Sequence, residues 1–316
     1  MPTPKLDPQL AQDALNLVEQ WGSPKLAIIA KATKLPESTI AHRVKIARLR
    51  GMRPTIRKDA PRIYEKQRLG KMHMVIPDVQ SKPGVRNDHL TWAGNYAVDK
   101  KPDVIVVIGD WWDMPSLSSY DKGKIDAEGR RYPHDIRAGR AAMENFLRPI
   151  DDYNRTEKVK YKPRKVFCLG NHEIRISRIV DENPAYQGKF DIDDLGIKDY
   201  GFEIYDFLKV VKIDGVEYSH YFTSGVRGNP VSSAAALLRE RQCSATMGHV
   251  QYADMAMHKK TQQRALFCAT FYQHDEKYLG QQDNCQRRQI IIKHEVADGR
   301  YDLMEVSLGF LEKAYA

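Results

Sequence analysis

From Met72 onward the chain repeats one plan: a short apolar run, then glycine or proline, then an oxygen or imidazole donor. "MHMVIPD" ends at Asp78, "VIVVIGD" at Asp110, and "RKVFCLGNHE" runs into Asn171 and His172. Between these runs lie "LTWAGNYAVDKK" and "DIRAGRAAMENFLRPI", whose apolar residues recur at helical spacing. Short strands alternating with helices predict an α/β fold around a largely parallel central sheet. The unbroken run Val104 to Ile108 fits a strand buried on both faces. Ligands of such sheets bind at the carboxyl ends of the strands, where all these donors fall. Two later segments extend the set: "VEYSHYF" carries His220 on a strand, and "CSATMGHVQ" ends a strand at Gly248 and His249.

Carboxylate, amide oxygen and imidazole arriving together from several strand ends is what a divalent metal site needs. Two cations about 3.5–4 Å apart require a carboxylate that bridges them. Gly109, Gly170 and Gly248 allow the tight strand-to-loop turns beside such a site.

The ordered set "PDVQ", "GDWWD", "GNHE", "SH" and "GHVQ" resembles the five-motif signature of the calcineurin-like metallophosphoesterases. That family includes SbcD-type nucleases, phosphoprotein phosphatases and cyclic-nucleotide phosphodiesterases. The resemblance covers about Met72 to Ala316 and reaches, more loosely, to phage-encoded members. It implies a layered sheet core flanked by helices and two divalent metal ions. By position, Asp110 would bridge them, and Asn171, His220 and His249 would complete one shell. Asp78 would join Asp110 in the other. His172 would act as general acid, oriented by Asp113. The departures concern one cation: the usual D-x-H reads Asp78-Val79-Gln80, and the usual GH-x-H reads Gly248-His249-Val250-Gln251. A shell of Asp78, Gln80, Asp110 and Gln251 is all oxygen, which favours Mn²⁺, with Mg²⁺ as the other choice, and neutral amides make it the weaker site.

The charge is uneven. The chain carries +9, and residues 1–70 hold 14 Lys and Arg against 6 Asp and Glu, or +8 of it. A basic head on a nearly neutral body implies a polyanionic partner. Within the head, "PQLAQDALNLVEQW" reads as a helix, and "SPKLAIIAKAT" as a second, with Ser23 as N-cap and Pro24 at its first position. A third runs from about Glu37 to Arg50. The stretch "IAKATKLPESTIAHRV" resembles the helix-turn-helix of bacterial regulators, with Ala30 at the crossing and Leu35, Ile40 and Val44 buried; Lys34 replaces the usual turn glycine. The resemblance implies DNA as partner: Glu37, Ser38, Thr39, His42 and Arg43 facing bases, and Lys45, Arg48, Arg50 and Arg53 facing phosphates. Residues 1–52 form this domain, 53–71 a basic linker, and 72–316 the catalytic body.

Cys168, Cys243, Cys268 and Cys285 lack CxxC spacing, so reduced thiols in a cytoplasmic protein are expected, in the host if the chain is phage-encoded. No run is long enough for a membrane span. Trp111 and Trp112 read mainly as core, and His89 and His274 as structural or as substitute ligands. Glu128 to Arg140, Arg227 and Met257 to Lys260 are candidate phosphate contacts. The reading is a metal-dependent phosphodiesterase acting on DNA. A phosphomonoesterase and a non-catalytic DNA-binding protein with one structural metal are the alternatives.

Overall fold

The computed structural model describes residues 7–21, 26, 30, 33–53, 70–121, 123–275 and 286–316. The chain divides into two compact units, Met1–Arg68 and Leu69–Ala316.

In the first unit, α1 spans Pro8–Trp21 and α2 spans Glu37–Leu49. Ile40, Val44 and Ala47 recur at i, i+4 and i+7, so they share one face of α2. They pack with Ala11, Ala14 and Leu15 of α1 and with Leu26, Ala30 and Leu35. Lys34, just ahead of α2, has φ +56°, the left-handed conformation that glycine adopts at less cost. Ser23, Pro24 and most of the expected middle helix lie outside the described residues, as does 54–69 of the expected linker.

The second unit is built on two sheets. The first has six strands in the order β13-β12-β1-β2-β3-β4. They are β1 (Lys71–Ile76), β2 (Val104–Val107), β3 (Arg164–Cys168), β4 (Glu203–Tyr205), β12 (Gln289–Ala297) and β13 (Arg300–Ser307). β1 to β4 run parallel, and the β12–β13 hairpin adds antiparallel on the β1 side. The second sheet has the order β10-β11-β9-β6-β5, from β5 (Val211–Ile213), β6 (Val216–Tyr218), β9 (Ser244–Met247), β10 (Ala253–Met257) and β11 (Arg264–Cys268). A small ladder joins β7 (Thr223–Ser224) to β8 (Asn229–Pro230). The helices are α3 (Asp88–Lys100), α4 (Tyr132–Thr156), α5 (Arg175–Glu182), α6 (Ala234–Arg241) and α7 (Leu308–Tyr315).

The central sheet expected from sequence is parallel over β1 to β4, and a second, mixed sheet packs on one of its faces. Side-chain alternation explains why two are needed. Met74, Ile76, Ile105, Val107 and Phe167 point to a core shared with α3, α4 and α7. Val75, Val104, Val106, Ile108, Val166 and Cys168 point the other way, against Val216, Tyr218, Leu266 and Cys268 of the second sheet. Outer residues of that sheet, Ala245, Met247, Ala265 and Phe267, meet Ala234 and Leu237 of α6. The result is four layers, helices–sheet–sheet–helix. β2 is buried on both faces, once by helices and once by another sheet. The parallel strands of both sheets direct their carboxyl ends to the same edge.

Candidate metal centre

Five loops build the site: those after β1, β2, β3, β6 and β9. Backbone hydrogen bonds fasten them together. Gln80 N donates to Asp110 O (2.8 Å), Ser81 N to Trp111 O (2.8 Å), Asp113 N to Ser81 O (2.9 Å) and Gly248 N to His220 O (2.9 Å). The turn after β2 needs Gly109, whose φ is +100° and where a Cβ would stand 2.6 Å from His220 Nδ1. At Gly170 a Cβ would stand 2.1 Å from Asp110 Oδ1, so only glycine leaves room for that carboxylate. Gln80, Asp110 and His249 themselves hold left-handed φ of 45°, 51° and 66°. Such strained positions collect at functional sites.

Asp110, His220 and His249 offer ligand atoms that all lie within 4.8 Å of one another, a group that could hold a metal ion. His220 Nε2 is 3.3 Å from Asp110 Oδ2, while its Nδ1 is 2.9 Å from Ile108 O. A ring whose Nδ1–H donates to that carbonyl presents the Nε2 lone pair to the site. Asn171 Oδ1 sits 2.9 Å from His220 Nε2 and 2.8 Å from His249 Nδ1. A carboxylate, an amide oxygen and two ring nitrogens in contact hold more lone pairs than protons, which a cation satisfies.

Asp78 is wholly buried beside them. Its Oδ1 accepts from His249 N (3.1 Å), and its Oδ2 has no hydrogen-bond partner. Burial and the charge of Asp110 push its carboxyl up to about 7. A buried, unpartnered carboxylate oxygen is costly unless a cation or proton meets it. Burial also works against ionised Asp110, but His172 and His220 more than offset it and hold that carboxyl below the usual range. His220, despite burial, is lifted to about 9 by Asp110, and His249 is lowered to about 4 by burial and by His220. These residues fit a divalent cation.

His172 stands beside this cluster. Its N–H donates to Asp110 Oδ1 (3.0 Å), and its Nδ1 lies 2.8 Å from Asp113 O and 3.0 Å from Asp113 Oδ1. Burial opposes a charge on its ring, yet Asp110 and Asp113 together raise its pKa above the ordinary value. Burial likewise opposes ionised Asp113, but His172 and Lys82, whose Nζ is 3.0 Å from Asp113 Oδ2, hold it well below the carboxylate range.

The glutamines behave differently from each other. Gln80 is buried and lines the same cleft as His172. Gln251 lines it too, but its Oε1 accepts from Tyr272 Oη (3.2 Å) and Gln286 Nε2 (2.5 Å). An amide oxygen has two lone pairs, and these donors take both. Gln251 must turn to act as a ligand.

Several neighbours went unassigned in the sequence. Glu173 is buried, and its carboxylate accepts from Asp110 N (3.0 Å), Trp112 N (2.9 Å) and Gly170 N (2.8 Å), tying the β2 loop to the β3 loop. Arg175 donates to Asp113 O (2.8 Å) and lies 3.2 Å from His172 Nε2. Its position three residues after His172, at the start of α5, was the available signal. His220 lies beyond β6, which ends at Tyr218, rather than on the strand. Trp111 and Trp112 are both core, their indole N–H groups bonded to Gly139 O and Ile136 O. His89 is structural, with Nε2 2.9 Å from Phe271 O. In the first unit Ser38, His42, Lys45, Arg48 and Arg50 are exposed, and Thr39 and Arg43 half-buried. Cys168 and Cys268 are buried free thiols, and Cys285 lies outside the described residues. No described helix is long and apolar enough to cross a membrane.

No protein-family model and no curated protein matches the chain. Among solved structures it is similar to Yfce, a phosphoesterase from E. coli, at 8% identity and a TM-score of 0.33, over 75% of this chain and 99% of that one. It is also similar to a conserved uncharacterized protein and predicted phosphoesterase from Streptococcus pneumoniae TIGR4, at 10% identity and a TM-score of 0.28, over 74% of this chain and 97% of that one.

Proposed function

We propose that the chain is a metal-dependent phosphodiesterase that acts on DNA through two divalent cations, Mn²⁺ before Mg²⁺. One observation carries this reading: the donor atoms of Asp110, Asn171, His220 and His249 converge beside a His172–Asp113 pair. Divalent ions bound there supply Lewis acidity and lower the pKa of the attacking water. Asp110 would be shared, with Asn171, His220 and His249 holding one ion and Asp78, Gln80 and Gln251 the other. His172 protonates the departing oxygen through Nε2, and Asp113 holds Nδ1 so that the ring faces the leaving group. Lys82 keeps Asp113 ionised and in place. Arg175 lies 3.2 Å from Nε2 and must yield that edge for the ring to reach a leaving group. The basic head, with Ser38, Thr39, His42, Arg43, Lys45, Arg48 and Arg50 in the roles given above, brings the body to DNA.

Hydrolysis of bis-p-nitrophenyl phosphate and of p-nitrophenyl phosphate, each with added Mn²⁺, tests the reading. The diester should turn over faster. Preference for the monoester would make the chain a phosphomonoesterase, and no turnover of either would leave a metal-binding protein without this activity.

A further inference from the structure

The cleft that His172 and Asp113 line has a volume of about 990 Å³. That is the top of the range for small-molecule sites and far more than one phosphate fills. Its far wall comes from the segment between β2 and α4, including Tyr120, Lys124, Arg130 and Arg131. Tyr120 is 81% exposed there, whereas Trp111 and Trp112 are fully buried. Arg130 braces this segment, bonded to Asp121 (2.6 Å) and to Pro115 O (3.2 Å). Arg131 instead is exposed and donates one bond, to the Arg130 carbonyl (2.8 Å), leaving further guanidinium donors for a ligand. Lys124 Nζ is 3.9 Å from Asp121 and 62% exposed. Of the acidic residues on the cleft, Asp113 pairs with His172 and Lys82, Asp121 with Arg130 and Asp275 with Arg288, while Glu128 is exposed and Asp135 buried. An exposed ring flanked by basic side chains is how single-stranded nucleic acid is held, by stacking that tolerates any base.

We propose that this cleft is a nucleotide subsite for single-stranded DNA on the leaving-group side of the scissile phosphate, with Tyr120 stacking a base and Arg131 and Lys124 meeting phosphates. It rests on the phosphodiesterase reading and narrows it to substrates whose leaving group is itself a nucleotide. The five Lys and Arg of the lining are matched by five Asp and Glu, so stacking supplies most of the affinity.

The test is binding of a labelled four-nucleotide deoxyoligonucleotide to the full-length chain without added metal, so that nothing is cleaved. Tyr120→Ala should raise Kd about tenfold, within the usual worth of one stacked base. Tyr120→Phe, which keeps the ring, should restore it. Arg131→Gln should flatten the salt dependence by about 0.7 in log Kd per log salt, one phosphate contact on a single strand. A Kd for Tyr120→Ala within twofold of wild type, or no recovery with Tyr120→Phe, would overturn the subsite. Because binding is read without turnover, a chain that binds through Tyr120 yet cleaves no diester overturns the phosphodiesterase reading alone.

Discussion

The two halves of the proposed metal centre are made from the same kinds of loop and are prepared to different degrees. On one side Asp110, Asn171, His220 and His249 already stand in mutual contact, and their supports are in place. The Ile108 carbonyl fixes the His220 ring, and Glu173 gathers three backbone N–H groups beneath Asp110. On the other side Asp78 has an unpartnered oxygen, and the Gln251 amide is turned to Tyr272 and Gln286. The first half already holds its ligand atoms together, so a cation there displaces a proton from His220 but need not turn a side chain. The second must break two hydrogen bonds at Gln251 before its shell can close. Affinity should follow that difference.

The largest effect should come from removing the residue both halves share. Asp110→Asn should cut diester hydrolysis by at least about 10³-fold, since it removes a charge worth several kcal/mol of transition-state stabilisation. Steady-state rates on bis-p-nitrophenyl phosphate at saturating Mn²⁺ check this, with circular dichroism to show the fold retained. Next comes the support of the prepared half. Glu173→Gln should weaken the tighter cation about 10- to 100-fold, as loss of outer-shell partners does. Calorimetric titration reads it directly.

A third, smaller effect separates the halves by pH. Between the ordinary value of 3.8 and about 7, the Asp78 carboxyl holds a proton in the folded chain that the unfolded chain gives up. The contribution of Asp78 to folded stability without metal should therefore fall as pH rises through that window and level off above it, read as the difference between wild type and Asp78→Asn. Asp78→Asn should flatten this trend and raise the melting temperature at pH 8 in a chelating buffer. An unchanged slope would mean that Asp78 does not carry the burial cost assigned to it. The smallest effect lies at the glutamines. Tyr272→Phe frees one lone pair of Gln251 and should lower the Mn²⁺ midpoint of the weaker site a few-fold. Gln80→His with Gln251→His should lower it further and more than additively. Midpoints identical to wild type would remove both glutamines from the shell.

The prepared half was the more legible in sequence, for a physical reason. Asp110, Asn171, His172 and His249 are each announced by an apolar strand and a glycine, features that local chemistry fixes. Strand limits ran too long because the last residues turn toward the site: β2 ends at Val107 and β6 at Tyr218. The layering of two sheets followed only from the family resemblance, because alternation in "VIVVIGD" cannot tell whether a helix or another sheet covers each face. The partners of Gln251 were not legible, since Tyr272 and Gln286 come from other segments and only tertiary packing brings them near. Glu173 and Arg175 stood in plain view beside His172, but their tasks, bonding to loop backbone and to Asp113, depend on how the β2 loop turns.

The proposed centre has one tight cation site and one weaker one sharing Asp110. Mn²⁺ titration by calorimetry on wild type and His249→Ala tests it most directly. Wild type should bind in two resolved steps, and His249→Ala should lose the tighter step while the weaker one persists. Equal isotherms for the two proteins, or no Mn²⁺ binding by wild type, would contradict it.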